Sequence, residues 1–478
     1  QRSVDTPFSK DLIRFLKYLE FKGDCAAYQE QNPIRFDMDL AKRCIEELEA
    51  MQEEKVEALK KVMPKVPKYV TKKCPKITHK KNGEPTKHFQ EWVRLLKEHG
   101  KPITTKELTY VKEYQEPNPN SNEQVKQWLY DLGWKPCTFK YLRDKDTGDE
   151  RKIEQVRKDG EITQSVVNLK DKAPEVELLE GLSVIQHRLG IFRGFVDSAV
   201  EHNGKYYLKA EIGGLTNTFR FKHKRPIVNL PGVDKFYGKE IRSCLMADEG
   251  ETFIGCDLVS LEDSTKRHFM QPLDPDYVEE MSQPGFDPHL SLALFAGEIT
   301  QEQYDNFDKE RDHDLAAIRK AYKVTNYSAT YGVGATKLAR EMGTSRSKAQ
   351  ALLDAYWEKN WSITKIAKQQ VTKQVGDYTW VRNPVSGFWH ELRYDKDIWS
   401  TVNQSTGVFI FDSWLARARL NGYMGQASFH DETGASVKDP KWAKEALEKA
   451  VDRLNQDLNL NVEIKIDTQT GDTYGDVH

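Results

Sequence analysis

Four side chains recur at four-residue intervals in the segment RKAYKVTNYSATYGVG, namely Arg319, Lys323, Tyr327 and Tyr331. This spacing predicts a helix on which the four form one slowly drifting stripe. A helix face that packs into a core is normally aliphatic, so cations and tyrosines do not suit one. A solvated face with long side-chain stems lying on the surface is one interpretation. The other is an extended anionic ligand, with cations binding phosphates and rings stacking on a sugar or base.

Two acidic clusters lie on either side of this stripe in the sequence. In CDLVSLEDSTKRHFM, Asp257 is followed five residues later by Glu262, and the apolar run before it predicts a short buried strand over 252–258. In ASFHDETG, His430, Asp431 and Glu432 interrupt a strand-like context just before a turn. Taken singly, an aspartate at a strand end is commonly a cap, and such a triplet is commonly a surface turn. Their joint occurrence in this order favours a functional site.

Together the three clusters resemble motifs A, B and C of DNA polymerases of the polymerase I type (family A), in a pattern nearest to phage replicative polymerases. The stripe, which ends in Gly332, matches motif B completely, whereas Ser260 stands in a shifted place in motif A. Three further segments resemble the family: FDPHLSLALFAG with His289, TFRFKHKRPIVNLP with Arg220, and NQSTG with Gln404. The resemblance covers most of residues 118–478. It departs from the family at three positions. Phe219 replaces a usual Gly, Ser264 replaces an Arg that often follows the motif A Glu, and Ser400 replaces an Asn that is common near Gln404.

The resemblance implies an α/β protein with the right-hand polymerase fold, in which an antiparallel palm sheet is combined with helical fingers and a helical thumb. The implied division is 1–225 for an N-terminal linker and thumb with a basic insertion near 60–115, 226–285 for the first part of the palm, 286–392 for the fingers and 393–478 for the second part of the palm.

The resemblance also implies the chemistry of the site. Two Mg²⁺ ions, with Mn²⁺ as a substitute, would be held by Asp257, the carbonyl of Leu258 and Asp431, because hard cations prefer oxygen ligands. Arg319, Lys323 and His289 would hold a deoxynucleoside triphosphate, and Lys323 would also protonate the leaving pyrophosphate. Tyr327 would pack on the sugar and base, Tyr331 would lie near the nascent pair, and Glu262 would crowd the 2′ position. The implied contacts to primer–template DNA are made by Arg220, Gln404, His430 and Glu432.

Two other functions stay open from the sequence. A single-subunit RNA polymerase shares a similar motif B, but a small residue at position 262 and H-D-S in the third cluster would then be expected. The second alternative is a non-catalytic nucleic-acid-binding relative of the same fold.

Composition and charge place limits on the chain as a whole. No run approaches the ~20 apolar residues that a membrane span requires, so we expect no membrane partner and a cytoplasmic location, in the host cell if the protein is viral.

The six scattered cysteines form no C-x-x-C pair, which indicates reduced thiols. The chain opens QRSVDTPFSK without Met or a leader, so we interpret it as a processed or excised form. At 478 residues it is long enough for about three domains.

A basic run stands out against a net charge of only −2. Residues 60–81 contain nine lysines and no acid, which is consistent with either a solvated linker or phosphate binding. Pro64, Pro67 and Pro75 predict a loop or insertion there, in a place that resembles the site where some phage polymerases bind a processivity factor.

Periodicity and turn residues predict the remaining elements. We expect a mobile connection over 140–175, strands over 206–221 around a Gly-Gly turn, and a helix that Ser121 caps and that ends near Gly133. The other predictions are helices over 38–62, 176–200, 402–420 and 440–457, mainly helices over 287–375, and strands around 426–436 and 460–467.

Overall fold

The computed structural model describes residues 7–144, 147–309 and 311–478. The chain divides into two compact units, Gln1–Glu46 with Arg188–His478, and Glu47–His187. Helices and antiparallel sheets occur in both units, so the predicted α/β class is confirmed. Among the described residues, no helix has the length and apolar character needed to cross a bilayer.

The main sheet of the larger unit is antiparallel, in the order β17-β18-β13-β19. Its strands are β13 (Thr252–Leu258), β17 (Ala427–Phe429), β18 (Glu432–Val437) and β19 (Ile466–Gly471). The predicted bounds of β13 are confirmed. The last predicted strand was placed too early, because the chain before Ile466 forms a loop that Asn455 holds through Ile464.

One face of this sheet packs on two long helices, α16 (Ile398–Leu420) and α17 (Pro440–Leu458). Ile254, Cys256 and Leu258 of β13 belong to this core together with the fully buried Trp414, whose indole donates a hydrogen bond to the carbonyl of Leu447 at 3.1 Å. Because side chains alternate along a strand, Asp257 lies on the opposite face. The core therefore fixes which face carries the acid.

Helices dominate the segment between β13 and α16, as predicted. They are α8 (Leu261–Met270), α9 (Pro275–Met281), α10 (Pro288–Phe295), α11 (Gln301–Asp305), α12 (His313–Thr330), α13 (Ala335–Met342), α14 (Arg346–Lys359) and α15 (Trp361–Gln369). A small sheet, β14 (Thr372–Val375), β15 (Tyr378–Arg382) and β16 (Trp389–Leu392), and a 3-10 turn at Asp395–Asp397 complete the segment. The buried side of α12 packs on α10 and α14, which leaves its other side free to carry the stripe.

The rest of the larger unit precedes the main sheet in sequence. It contains α1 (Pro7–Gln31), β1 (Ile34–Phe36), the start of α2 (Met38–Val62), most of α6 (Leu182–Ser198), β8 (Val200–His202), β9 (Lys205–Leu208), β10 (Ile212–Leu215), β11 (Phe221–His223), α7 (Gly238–Ser243) and β12 (Leu245–Met246). Four strands form a second sheet, β12-β1-β9-β8. The predicted bounds of α2 are confirmed. Gly213 and Gly214 lie inside β10, however, and the turn is formed by Thr216 and Arg220, whose backbones bond at 2.9 Å.

A buried ion pair anchors α1 to α16. The ammonium of Lys22 lies 2.9 Å from the carboxylate of Asp412, and the two side chains are only 3% and 2% exposed. Tyr18 donates a further hydrogen bond to the same carboxylate, and the ring of Phe221 lies 3.7 Å from the Lys22 nitrogen. A buried charge pair with this many partners ties the first helix to the helix under the main sheet.

The smaller unit contains short strands and helices: β2 (Val66–Lys73), α3 (Lys87–Glu98), β3 (Glu107–Gln115), α4 (Asn122–Asp131), β4 (Phe139–Arg143), β5 (Glu150–Glu154), β6 (Arg157–Lys158), β7 (Glu161–Ile162), α5 (Gln164–Val167) and a 3-10 helix (Pro174–Leu179). Ser121 accepts a hydrogen bond from the backbone of Gln124 at the start of α4, so the predicted cap is confirmed.

The interpretation of the basic segment as a solvated linker is wrong. β2 pairs with β3 along its whole length, and α3 packs on the pair through Trp92 and Leu96. Proline is compatible with strand β2 because a two-stranded ribbon leaves an edge whose N–H groups need no partner. We name residues 65–116 the basic module.

The mobile connection expected over 140–175 is also wrong. This stretch forms two small hairpins, β4-β5 and β6-β7, followed by α5. Its strands are polar because they pair as two-stranded ribbons in which most side chains stay partly or fully exposed, so apolar alternation is weak. Residues 145 and 146 of this prediction lie outside the described residues.

Candidate active site

Three carboxylates meet on the open face of the main sheet. Asp257 is paired in register with Glu432 on one side and with Asp467 on the other. Directly paired residues of antiparallel strands project from the same face, so the three side chains are neighbours. Asp431 precedes Glu432 in the turn between β17 and β18, and its carbonyl accepts a 3.0 Å hydrogen bond from the Leu258 amide. Asp257 and Asp431, the two predicted metal ligands that are far apart in sequence, are thus brought close together.

This crowding changes the ionisation of the two aspartates. Burial is the largest cause that raises the pKa of Asp257, and the neighbouring carboxylates add to it. Burial likewise raises the pKa of Asp431, while the charge of Arg220 acts in the opposite direction. Like charges held close together oppose ionisation unless a cation compensates them.

The donor set fits a hard divalent cation, because carboxylate oxygens on adjacent backbone elements are the ligands that Mg²⁺ prefers. Within the described residues, no group of three or more His, Cys, Asp or Glu side chains is arranged to enclose a metal ion. Asp257 and Asp431 are the two predicted ligands that the main sheet brings near each other. Asp467 was missed in the sequence, since only the strand register reveals that it lies beside Asp257.

The stripe predicted on α12 is present. Tyr327 is 55% exposed and Tyr331, which caps the helix, is 44% exposed. The Lys323 ammonium lies 5.9 Å from the centre of the Tyr327 ring. Arg319 is partly buried and pairs with Asp287. These side chains are displayed on the side of α12 that is not packed, as a ligand-binding interpretation requires.

Asp287 organises two predicted nucleotide-binding residues. Its Oδ1 accepts hydrogen bonds from the backbone amides of His289 and Leu290, which caps α10, and its Oδ2 accepts from Arg319. The segment FDPHLS was noted in the sequence for its histidine, but the role of the aspartate was missed. A single carboxylate thus holds α10 and the guanidinium together.

His289 is nearly buried and neutral. Burial lowers its pKa to about 4. The amide nitrogen of Asn326 lies 3.2 Å from Nδ1, and because an amide nitrogen can only donate, this contact favours the tautomer with its proton on Nε2. His289 can therefore donate one hydrogen bond to a ligand without carrying a full charge.

Glu262 connects the acidic cluster around Asp257 with the α12 stripe. Its Oε1 accepts a hydrogen bond from the Tyr331 hydroxyl at 3.1 Å, and its backbone carbonyl accepts one from the side-chain amide of Asn403 at 3.2 Å. Burial is the main cause that raises the pKa of Tyr331 to about 12, and the Glu262 charge adds to it. Asn403 is a site residue that the sequence did not indicate.

A cavity of about 770 Å³ connects these groups. Its walls come from α8, α10, α12, α16 and the β17–β18 turn, and include Glu262, Lys266, His289, Tyr327 and Asp431. Among the described residues, Arg319 and Lys323 are not part of this lining. A volume of this size is typical of small-molecule sites.

A second, smaller cavity shares Glu262, Asn403 and Asp431 with the first. It brings together three residues predicted to contact DNA, namely Arg220, Gln404 and His430. The Gln404 carbonyl accepts a hydrogen bond from Thr218 at 2.8 Å, and burial lowers the pKa of His430 to about 4. These residues thus lie beside the carboxylates on one continuous concave surface.

Glu432 is held by the end of the chain. Tyr474 donates a hydrogen bond to its Oε2 at 3.1 Å, and Nε2 of His478 lies 3.1 Å from its Oε1. The side chain is 12% exposed. Its carboxylate is thus engaged by Tyr474 and His478, which the sequence did not indicate.

Two departures from the family pattern have local explanations. Phe219 adopts a φ of +65°, the left-handed conformation that favours the usual Gly, and its ring lies 4.5 Å from that of His390 and 5.3 Å from that of Phe15. Ser264 lacks the usual cation, but Arg267, one turn further along α8, donates to its hydroxyl at 3.3 Å. No structural consequence of Ser400 bears on the site.

The sequence profile of DNA polymerase family A matches residues 87–383. This is more than half of the chain. The matched range contains the cluster around Asp257 and the α12 stripe, and it stops before the His430–Glu432 cluster. The chain belongs to DNA polymerase family A, which confirms the resemblance.

Individual relatives agree with this assignment. The chain is 22% identical over 373 residues to a DNA-directed DNA polymerase of Enterobacteria phage T3, an alignment that covers 70% of this chain and 48% of the phage protein. It is 24% identical over 284 residues to DNA polymerase I of Treponema pallidum (strain Nichols), covering 55% of this chain and 27% of that protein. The chain therefore spans about half or less of the length of these two relatives.

The fold has a solved counterpart. The POL domain of Pol1 from M. smegmatis, in complex with DNA primer-template and dNTP, superposes with a TM-score of 0.63 at 16% identity. The match covers 95% of this chain and 69% of that one. The similarity shows a shared fold.

Proposed function

We propose that this chain is the polymerase part of a template-directed DNA polymerase, which adds deoxynucleotides to a primer 3′-hydroxyl and releases pyrophosphate. One observation carries the proposal. Asp257 lies on the open face of the main sheet beside Asp431, and Asp431 lines the large cavity together with Tyr327 of the α12 stripe. Membership of DNA polymerase family A supports it.

Asp257, Asp431 and the Leu258 carbonyl would hold two Mg²⁺ ions, or Mn²⁺ in their place. When bound, such ions activate the attacking hydroxyl and neutralise charge on the phosphate. The protein contributes fixed carboxylates whose mutual repulsion favours cation binding. Positioning and charge neutralisation are the main sources of rate acceleration in this chemistry.

The nucleotide would lie in the large cavity. Arg319, Lys323 and the Nε2–H of His289 bind its phosphates in this proposal, with Asp287 and Asn326 as the positioning residues. Lys323 would also donate a proton to the departing pyrophosphate. Tyr327 packs on the sugar and base, and Tyr331 lies near the nascent pair, where it keeps its bond to Glu262.

Glu262 favours DNA over RNA synthesis. Its side chain, bonded to Tyr331, restricts the space that a 2′-hydroxyl would need, whereas a ribonucleotide enzyme of this fold is expected to carry a small residue there. A single-subunit RNA polymerase is therefore the second candidate. A non-catalytic relative is the third, and the presence of both aspartates argues against it.

Primer and template would lie along the smaller cavity, bound by Arg220, Gln404 and His430. Glu432 would lie beside the primer and template because it is paired with Asp257. Its carboxylate already contacts Tyr474 and His478, so it would not bind DNA directly. In the polymerase division, residues 226–285 and 393–478 form the palm, 286–392 the fingers, and 1–225 the N-terminal linker and thumb. The enzyme would act on DNA in the cytoplasm, and in the cytoplasm of the host cell if the protein is viral.

The basic module is proposed to bind DNA phosphates. It contains thirteen Lys or Arg and six Asp or Glu, whereas the whole chain has a net charge of −2. Docking of a processivity factor is the second candidate for this surface. Both roles would lengthen the products made per binding event, and only phosphate contacts depend steeply on salt without a partner present.

Primer extension distinguishes the three functions. Wild type is supplied with a primed DNA template and either deoxynucleotides or ribonucleotides, and Asp431→Ala serves as the inactive control. Extension with deoxynucleotides alone, lost in Asp431→Ala, is the expected result. Efficient extension with ribonucleotides would indicate the RNA polymerase, and no extension with either would leave the non-catalytic relative.

A further inference from the structure

Lys266 lies one helical turn beyond Glu262 on α8, and both line the large cavity. Residues four apart share a helix face, so the ammonium of Lys266 extends along the wall that begins at the Glu262 carboxylate. None of the three motif clusters uses this residue. His289, Asn326 and Tyr327 line the same cavity.

The charge of Lys266 is compensated only in part, by the nearby Asp263 carboxylate. Asp263, the acid nearest to it on α8, is engaged by Arg267 at 3.0 Å. No ion pair of Lys266 is found in the described part of the chain, and its nitrogen lies 5.8 Å from the centre of the Tyr277 ring. Burial, the largest cause, lowers the pKa of Lys266 to about 8; the charge of Asp263 opposes this shift and the nearby Lys359 adds to it. A sheltered cation that forms no direct ion pair is costly unless a ligand supplies a counter-charge.

His289 of α10 lines the same cavity as Lys266. Lys266 is among the charges that lower the pKa of His289. Arg267 lines the same cavity and donates to the hydroxyls of Ser264 and Ser282, at 3.3 and 3.2 Å. The wall of the cavity formed by α8 thus carries Glu262 and the Asp263–Arg267 ion pair, and Lys266 is the cation of this wall for which no ion pair is found among the described residues.

We propose that Lys266 binds the polyphosphate of the incoming nucleotide, and therefore also binds free pyrophosphate. Its ammonium provides a counter-charge on the α8 wall of the cavity. The inference rests on the proposed polymerase function and adds a binding residue to it. An anionic chain in this cavity would restore the charged form of Lys266, because an opposite charge raises the pKa of an ammonium.

The test compares Lys266→Met with Lys266→Arg, and uses Lys320→Met, an exposed lysine of α12, as the matched control. Lys266→Met should raise both the KM for deoxynucleotides and the inhibition constant of inorganic pyrophosphate by about tenfold or more, as expected for loss of a charged hydrogen bond. Lys266→Arg and Lys320→Met should stay near wild type, and primer–template affinity should be unchanged in all three.

A pH series on wild type and Lys266→Arg gives a second readout that does not depend on the folding of Lys266→Met. Lys266 is charged below its pKa and neutral above it, so wild type should lose affinity for pyrophosphate relative to Lys266→Arg as pH rises from about 7 to about 9. A constant ratio, or unchanged constants in a folded Lys266→Met, would overturn the inference. Wild type that extends no primer would instead overturn the proposed function.

Discussion

The Tyr331 hydroxyl donates a hydrogen bond to Oε1 of Glu262, with 3.1 Å between the two oxygens. This contact connects the end of α12 with the first turn of α8. Because the pKa of Tyr331 is raised to about 12, the phenol stays protonated and continues to donate near neutral pH. This hydrogen bond orients the exposed Glu262 carboxylate toward the end of α12.

Removal of the carboxylate should weaken the exclusion of ribonucleotides. Glu262→Ala is expected to raise the efficiency of ribonucleotide relative to deoxynucleotide incorporation by about tenfold or more, because the obstruction at the 2′ position and the hydrogen bond to Tyr331 are lost. The measurement is the ratio of kcat/KM values for the two nucleotides. Glu302→Ala, at an exposed position of α11, is the matched control and should leave the ratio unchanged.

Tyr327 should affect acceptance of chain terminators. Among the described residues no hydrogen-bond partner is found for its hydroxyl, so the group is available to a ligand. A terminator lacks the 3′-hydroxyl, and the phenol can replace that contact at about 0.5–1.5 kcal/mol. Tyr327→Phe should thus reject dideoxynucleotides several-fold better, as measured by incorporation ratios.

Tyr378→Phe, at a tyrosine of similar exposure, controls for loss of a hydroxyl as such. An unchanged dideoxy-to-deoxy ratio in Tyr327→Phe would mean that the hydroxyl has no part in sugar selection. The ring would then act only by packing.

The buried pair of Lys22 and Asp412 makes a prediction about stability. Lys22→Met leaves a buried carboxylate without its cation, which should lower the free energy of unfolding by about 3–5 kcal/mol. Urea titration followed by tryptophan fluorescence measures the loss. Lys17→Met, exposed on the same helix, should change little. Addition of Asp412→Leu to Lys22→Met should recover much of the loss, and a double variant as unstable as the single one would contradict this explanation.

The basic module should support processive synthesis through direct phosphate contacts. Deletion of residues 65–112 should shorten the products of one binding event while single-nucleotide turnover changes little. The difference should shrink as salt rises, because lysine–phosphate contacts release counterions. Product length on a long primed template, at several salt concentrations, is the measurement.

A matched pair of variants separates direct contact from overall charge. Four exposed lysines, Lys76, Lys81, Lys101 and Lys106, have no acidic partner in the described part of the chain, whereas Lys65, Lys68, Lys73 and Lys80 pair with glutamates. Replacement of the first four by Gln should shorten products more than replacement of the second four. Equal product lengths at every salt concentration would exclude phosphate contact and favour docking of a processivity factor.

Local periodicity was enough to predict several elements. The bounds of α2 and β13 and the Ser121 cap follow from residues that are close in sequence, where helix and strand periods act directly. The stripe on α12 was predictable for the same reason. The polar ribbons β2-β3, β4-β5 and β6-β7 of the smaller unit were not, because their strands are stabilised by pairing rather than by an apolar face.

The missed site residues share a different cause. Asp467 lies beside Asp257 only because β19 pairs with β13, and 210 residues separate the two aspartates. The basic module was misjudged because Lys68 finds its acid, Glu113, on a strand that lies 45 residues later. The tertiary register that creates such contacts leaves no local pattern in the sequence.

The central claim is that Asp257 and Asp431 hold the ions for nucleotidyl transfer. The most direct measurement compares primer extension and primer–template affinity in Asp257→Asn, Asp431→Asn and wild type, with Asp467→Asn as the neighbouring control. Both of the first two variants should lose extension by several orders of magnitude and still bind primer–template with near wild-type affinity, since the amide preserves shape but removes the charge that a hard cation needs. Asp467→Asn should retain measurable extension. Near-normal turnover in either Asp257→Asn or Asp431→Asn would contradict the account.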